Sequence, residues 1–334
     1  VVTILACAIF AAISGSSPAT AAAIGSIMIP AMISAGYDKR YSMGLVAAGG
    51  TLGILIPPSI PLIMYGITSE QSIGELFMAG IIPGLALTGL LIVAAIVYAK
   101  RNGFKGDKPA SMSERGKKSL KAIWGALLPF IILGSIYSGI VTPTESAVIA
   151  VVYGLIVSAF IYRELKLKDL RHIIVESVNI TAMIFLIVAA ASLFGLYLTN
   201  AQVPQTVGNW IAESDMNKWI FLIIVNILFF VMGMFLEAVS IILITLPILL
   251  PILLHFDINL IHFAIIMTIN MELGMITPPV GLNLFVVSGI AKEKYFAMEH
   301  QYPSRMEWIN KFGYDPKQLH HLLRVEEYLE RYIH

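Results

Sequence analysis

The sequence predicts an all-α polytopic membrane protein organised as an inverted repeat, with two re-entrant hairpins and two helices broken by Pro-Pro pairs. Three observations predict it. Long stretches carry no charge, basic residues gather in particular connections, and one unusual Pro-Pro segment recurs 221 residues further along the chain.

Of 334 residues, 57% are hydrophobic and 13% charged, with a mean hydropathy of +0.82. Soluble domains carry about 25% charged residues, so an ordinary soluble enzyme is excluded. The 22 Lys and Arg nearly cancel the 21 Asp and Glu, which leaves no basic field for a nucleic acid to follow. Cys7 is the single cysteine, so no intrachain disulfide is possible, and no Cys/His spacing suggests a structural metal.

An ion in hydrocarbon is costly, and about 20 apolar residues span a bilayer core. Asp, Glu, Lys and Arg are absent from 1–37, 41–69, 76–99, 122–144, 146–162, 177–212, 219–236, 238–256 and 273–291. The first run lacks the basic start of a signal peptide and is read as a truncation with earlier helices missing. Sidedness follows from Lys and Arg, which favour the cytoplasmic face.

Residues 1–36 enter and return as a re-entrant hairpin turning at Ser14–Thr20. From Asp38-Lys39-Arg40 inside, 41–65 crosses to an outer loop bearing Glu70 and Glu75, and 76–99 returns. The connection 100–121 is strongly basic, with Lys100, Arg101, Lys105, Lys108, Arg115, Lys117, Lys118 and Lys121, and lies inside. A hairpin of 122–140 and 143–162 leaves and comes back to Arg163, Lys166, Lys168 and Arg171. Its turn, Thr142-Pro143-Thr144-Glu145, has the form of a capping box, so Glu145 reads as a helix cap rather than a catalytic carboxylate. Next, 173–199 exits, 200–217 lies outside, 218–254 forms a hairpin opening from the outside, and 260–291 re-enters to reach Lys292 and Lys294.

At the offset of 221, Gly53-Ile-Leu-Ile-Pro57-Pro58 falls on Gly274-Met-Ile-Thr-Pro278-Pro279, Pro30 on Pro251, and Ser16 on Glu237. Each half is a hairpin followed by a broken helix, and the charge pattern turns the two halves opposite ways. The parts are therefore 1–99, a truncated first repeat; 100–172, a basic loop and scaffold hairpin; 173–292, the second repeat; and 293–334, a soluble charged tail outside the fold.

A Pro-Pro pair frees backbone carbonyls, which in hydrocarbon need protein, water or an ion. Paired breaks in two repeats point to a midplane site for an ion or substrate; the alternative is a pair of kinks without a ligand. The hydroxyls of the Ser14–Thr20 tip suit an alkali cation such as Na⁺, or else serve close packing and bond their own backbone. Glu237, at the second tip, and Glu272 are carboxylates inside apolar sequence, functional unless the tip is wet. Asn283 either lines the site or packs between helices.

With Ser14–Thr20, Pro30-Ala31-Met32, Gly36-Tyr37, Gly53–Ser59, Leu76-Phe77-Met78-Ala79-Gly80, Pro83-Gly84 and Gly274–Phe285, the chain resembles, over about 1–292, the large membrane subunit of tripartite ATP-independent periplasmic (TRAP) transporters, the DctM-like family. The resemblance implies an elevator-type secondary transporter, not an enzyme, multi-pass in the bacterial inner membrane. It further implies Na⁺-driven import of organic acids such as carboxylates, with a small membrane subunit and a periplasmic substrate-binding protein as partners. One Na⁺ site would use Ser14, Ser16 and Ser17 with carbonyls around Gly53, Ile56 and Pro58; its counterpart would use the second tip with Gly274, Thr277 and Pro279. Thr20, Ser59, Glu237 and Asn283 fall to the substrate, and no organic cofactor is expected.

The chain departs from the family at both ends. The family's first helices are absent, and residues 293–334 carry 13 charged groups, with Leu319, Leu322, Val325, Leu329 and Tyr332 at helical spacing. That segment reads as a join of unrelated sequence. Other functions remain open: a transport-incompetent scaffold docking partner proteins, an ion-coupled carboxylate carrier that needs no binding protein, or an intramembrane enzyme. The last lacks a nucleophile–base pair or metal motif, since His172, His255 and His262 are isolated near span ends, and without a phosphate loop ATP hydrolysis is not the energy source.

Overall fold

Short polar caps, glycines and prolines divide the chain into helices. The structure, a computed structural model, describes residues 1–104, 111–203, 206 and 217–301. α1 (Val2–Ser14) stops at Gly15, which adopts the left-handed conformation at φ 63°, and α2 (Ser17–Ser34) starts just after it with Pro18 in its first turn. α3 (Lys39–Leu55) is capped by the Asp38 carboxylate, which accepts from the Tyr41 amide. A cis Pro57-Pro58 bond follows, and α4 (Ile60–Ser69) restarts under the Ser59 hydroxyl, which accepts from the Leu62 amide. Ser72 caps α5 (Ile73–Arg101).

α6 (Met112–Tyr137) and α7 (Pro143–Ile156, prolonged by a π turn over Val157–Ile161) form the middle hairpin. Its turn is the capping box expected from sequence, with the Thr142 and Glu145 side chains each accepting from the other's amide. After α8 (Leu167–Asn200), α9 (Lys218–Gly233) and α10 (Ala238–His255) make the second hairpin. Asn259 caps α11 (Leu260–Met275), a cis Pro278-Pro279 bond follows, and α12 (Leu282–Gln301) completes the described chain.

Three boundaries differ from the charge-based expectation. α6 begins at Met112 rather than near 122, α8 begins at Leu167 rather than near 173, and α12 passes Lys292 to reach Gln301. Glu, Arg and Lys are good helix formers, so a helix leaving hydrocarbon need not stop where charge begins. Lys105 and Lys108, most of the outer loop before Asn217, and the helical spacing of Leu319 to Tyr332 lie outside the described residues.

Among the described residues six segments can cross a membrane by length and composition: Ser17–Ser34, Lys39–Ser69, Ile73–Arg101, Pro143–Ile161, Lys168–Leu198 and Ala238–His255. The second of these is α3 and α4 taken together, interrupted by the first proline pair.

Several element bounds and packing pairs recur at the offset of 221 residues. Shifted by 221 residues, α2 coincides with α10 at both ends, the first residue of α3 with that of α11, and the caps Ser16 and Asp38 with Glu237 and Asn259. The cis bonds correspond as well. Packing repeats the pattern: α1 lies on α3 as α9 lies on α11, α2 packs against α12 as α10 packs against α4, and α3 meets α11. Each hairpin thus leans on the second half of the other repeat's broken helix.

Where these elements converge, Ile54, Leu55, Leu62, Tyr65 and Phe77 pack with Phe229, Phe263, Met267, Met271 and Met275 in one buried cluster. The Tyr65 hydroxyl donates to the Leu260 carbonyl at 2.7 Å and ties α4 to the start of α11. Lipid tails are as apolar as leucine, so helices in a membrane gain most from close approach through small residues. Such approaches occur where Gly49 faces Cys7 and Gly50 faces Ala21. On the outer faces of α5 and α8, Ile82, Leu85, Leu90, Phe185, Leu186 and Leu193 are exposed, as expected of lipid-facing surfaces.

Candidate functional site

A proline pair removes two amides that a continuing helix would use, here those owed to the carbonyls of Gly53 and Ile54. Ile54 is compensated, since the buried Ser59 hydroxyl donates to its carbonyl at 2.6 Å. The first hairpin tip sits against this break. Gly15 accepts at its carbonyl from the Ile60 amide at 3.1 Å, so the tip is bonded to the residue that restarts the helix.

Glycine at 53 is what permits the approach: a Cβ there would lie 2.4 Å from the Ser16 carbonyl oxygen and 2.8 Å from Thr20 Oγ1. A Cβ on Gly15 would lie 2.8 Å from the Pro58 carbonyl oxygen. Within the tip, Thr20 Oγ1 donates to the Ser16 carbonyl at 2.8 Å and lies 2.8 Å from Ser14 Oγ, which itself donates to the same carbonyl at 3.3 Å. Ser14, Ser16, Thr20, Gly53 and Pro58 therefore come together, with hydroxyl and carbonyl oxygens concentrated in one junction.

The second junction repeats the contact with different side chains. Gly281, two residues beyond its proline pair as Ile60 is beyond the first, donates its amide to the Met234 carbonyl of the second tip at 3.0 Å. A Cβ on Gly274 would fall 2.6 Å from Gly233 Cα. The hydroxyls of the first tip have no counterparts here, because Ser14 corresponds to Phe235 and Thr20 to Ile241. Instead Glu237 caps α10, its carboxylate accepting from the Val239 and Ser240 amides at 3.0 and 3.4 Å. Thr277 donates its hydroxyl to Leu273 and its amide to Gly274, while Pro279 is exposed.

Other candidates lie apart from the tips' oxygens. Ser17 and Asn283, both fully buried, bond each other across the two repeats, and the Asn283 amide also donates to the Ala47 carbonyl at 3.0 Å. The Ile56 side chain faces Gly84 on α5. Of the substrate candidates, Thr20, Ser59 and Asn283 are buried with protein partners, and Glu237 alone is partly exposed. His172 is exposed beside Glu176, at 3.7 Å.

Sequence reasoning missed three features. Gly15 and Gly281 make the tip-to-break bonds, and their signal was a glycine beside each turn. Asn226 and Asn270 bond each other between α9 and α11, and the only local sign is an amide within an apolar run. No group of three His, Cys, Asp or Glu side chains able to hold a metal occurs among the described residues.

The arrangement suits a small cation and an anion side by side. Each junction joins the C-terminal ends of two helices, whose carbonyls favour positive charge, to the N-terminal ends of two others, whose amides favour negative charge. The family model for the tripartite ATP-independent periplasmic transporter, DctM component, matches residues 1–306. A C4-dicarboxylate TRAP transporter large permease protein of Pseudomonas aeruginosa is 46% identical over 290 residues, covering 87% of this chain and 68% of that protein. An isethionate TRAP transporter permease protein of Oleidesulfovibrio alaskensis is 45% identical over 87% of this chain and 46% of its own length. A sialic acid TRAP transporter large permease protein of Vibrio cholerae is 36% identical over 86% of this chain and 68% of its own.

Proposed function

The chain belongs to the DctM family of tripartite ATP-independent periplasmic transporters, as a large, multi-pass membrane permease component, and from that premise we propose that it is the moving core of a Na⁺-coupled importer of organic acids. The observation that carries this reading is the doubled junction: two hairpin tips, each bonded through a backbone carbonyl to the residue restarting a proline-broken helix. Three of the relatives are named for C4-dicarboxylate, isethionate and sialic acid, all organic anions, which supports an anionic substrate here.

In the proposed cycle Na⁺ binds at the first junction to Ser14 Oγ, Thr20 Oγ1 and the carbonyls of Ser16 and Gly53. A second Na⁺ is held at the other junction by carbonyls near Gly274, Thr277 and Pro279, with the Glu237 carboxylate adding charge. Neither ion needs a chemical step. Each stabilises the docked tip over the open one, and that differential affinity couples ion occupancy to the substrate pocket. The positive ends of the helices beginning at Ser17, Ile60, Ala238 and Leu282 favour the substrate's anionic group. Ser59 and Asn283 act as supports rather than contacts: one relieves the Ile54 carbonyl, the other pins the repeats together.

The repeats move together in an elevator step, both tips being re-entrant from opposite faces, while the α6–α7 hairpin belongs to the scaffold. A small membrane subunit completes that scaffold and a periplasmic protein delivers substrate. Uptake of labelled C4-dicarboxylate, isethionate and sialic acid into proteoliposomes tests the reading, using this chain and a version extended to its relatives' length, each with both partners. Accumulation that requires Na⁺ and the binding protein is expected. Na⁺-dependent uptake without the binding protein points to a self-sufficient carrier, and no Na⁺-dependent uptake of any anion refutes the proposal.

A further inference from the structure

α2 and α5 end in the same kind of turn. In each, a left-handed glycine, Gly36 at φ 86° or Gly103 at φ 70°, lets the next residue fold back and donate its amide five residues upstream. Tyr37 donates to the Met32 carbonyl and Phe104 to that of Ala99, both at 3.0 Å. The two residues so turned are aromatic, and their rings stack with centroids 4.1 Å apart. Beside them Tyr41, in the first turn of α3, stacks on Tyr98, in the last turn of α5, at 3.4 Å. Centroid separations of 6.1 and 6.4 Å between the pairs complete a plate of four half-buried rings.

Cations surround this plate. Lys39 and Arg40 open α3, Lys100 and Arg101 close α5, and Asp38, which caps α3, is the one acidic residue within 34–42 and 96–104. The two ring stacks bring the basic pairs to one place. Arg40, Lys100 and Arg101 are exposed. Further into α5, Val93, Ile96 and Val97 are exposed as well, and spacings of three and four residues carry their face on to Lys100 and Arg101. A bare apolar face leading to aromatic rings and then to cations has the order of a bilayer leaflet read from the tails outward.

We propose that this patch binds an anionic phospholipid, its phosphate held by Arg40, Lys100 and Arg101 and an acyl chain laid along Val93, Ile96 and Val97. The excess positive charge complements a headgroup of net negative charge. A zwitterionic headgroup brings its own cation, which these residues repel, and a free phosphate has no tail to cover the bare α5 face. The lipid joins the start of α3 to the end of α5, two helices already tied by the rings. It depends on neither Na⁺ coupling nor the identity of the transported anion.

Phosphatidylglycerol is the probe. The full chain, delipidated in neutral detergent, is titrated with phosphatidylglycerol, phosphatidylcholine and glycerol 3-phosphate, with bound lipid counted by native mass spectrometry and thermal unfolding followed in parallel. Phosphatidylglycerol should bind saturably and raise the melting temperature, phosphatidylcholine should bind more than about tenfold more weakly, and excess glycerol 3-phosphate should not displace the lipid. A cation beside an anionic headgroup contributes about fivefold in affinity, so Arg40→Gln and Lys100→Gln should each weaken binding by about that factor, and the double variant by about twenty-five-fold. Raised salt should weaken it too. Lys168→Gln, the same charge change at an exposed position on α8, is the control and should leave binding unchanged. The single variants lie on different helices, so each stands in for the other if one does not fold. Equal affinity for the two lipids, displacement by glycerol 3-phosphate, unchanged affinity in a folded Arg40→Gln or Lys100→Gln, or an equal loss in Lys168→Gln overturns the proposal.

Discussion

Gly53→Ala places one methyl group where the first tip meets the broken helix. The added Cβ would stand 2.4 Å from the Ser16 carbonyl oxygen, 2.6 Å from its carbon and 2.8 Å from Thr20 Oγ1. Two of the three are backbone atoms, so relief requires the whole tip to withdraw by about 1 Å to reach ordinary contact. Overpacking of this kind costs about 1–3 kcal/mol, and a backbone clash belongs at the upper end. Alanine is the better helix former by about 1 kcal/mol, which works the other way. The net cost to the docked tip is about 2 kcal/mol, or roughly thirtyfold in the docked-to-open ratio. If Na⁺ requires the docked tip, its half-saturating concentration in uptake rises by about that factor. Gly44→Ala on the same helix is the control, because a Cβ there meets nothing within 4 Å. Equal Na⁺ dependence in the two variants would refute the claim that the Gly53 contact forms the ion site.

Gly274→Ala, whose Cβ would press on Gly233 Cα at 2.6 Å, is expected to raise the half-saturating Na⁺ concentration in the same uptake assay, through the second junction. Ser59→Ala leaves the Ile54 carbonyl unpaired in a buried place, which should destabilise the protein by about 1–3 kcal/mol and lower its melting temperature, with Na⁺ affinity changed less than in Gly53→Ala. Ser17→Ala and Asn283→Ala remove the same bond between repeats, so their destabilisations should fall short of additivity by about 0.5–3 kcal/mol in a double-mutant cycle read by thermal unfolding. Additive losses would show that the two side chains act independently.

Much of the architecture was legible because a bilayer punishes charge at short range and a proline pair interrupts a helix wherever it falls. The charge-free runs located the helices, and the recurrence of Pro57-Pro58 at Pro278-Pro279 located both breaks. The Thr142–Glu145 capping box was readable since its partners are three residues apart and need only local geometry. Long-range pairings were not. Ser17 and Asn283 are 266 residues apart, and nothing in either local sequence says that the hydroxyl and amide meet. The exchange that sets α2 on α12 and α10 on α4 depends on how the repeats cross, which periodicity does not encode. Ser59 was read as a substrate candidate, and its hydroxyl donates to the carbonyl that the break itself leaves free, a contact its local sequence does not announce.

The central claim is that Na⁺ occupies the first hairpin tip, and direct binding of ²²Na⁺ to the protein in lipid tests it most plainly. The wild type should bind saturably, and Ser14→Ala and Thr20→Val, each removing one of the two hydroxyls that meet at 2.8 Å, should weaken that binding while thermal unfolding shows the fold retained. Unchanged ²²Na⁺ binding in both folded variants would contradict the account and return the tip's hydroxyls to a purely packing role.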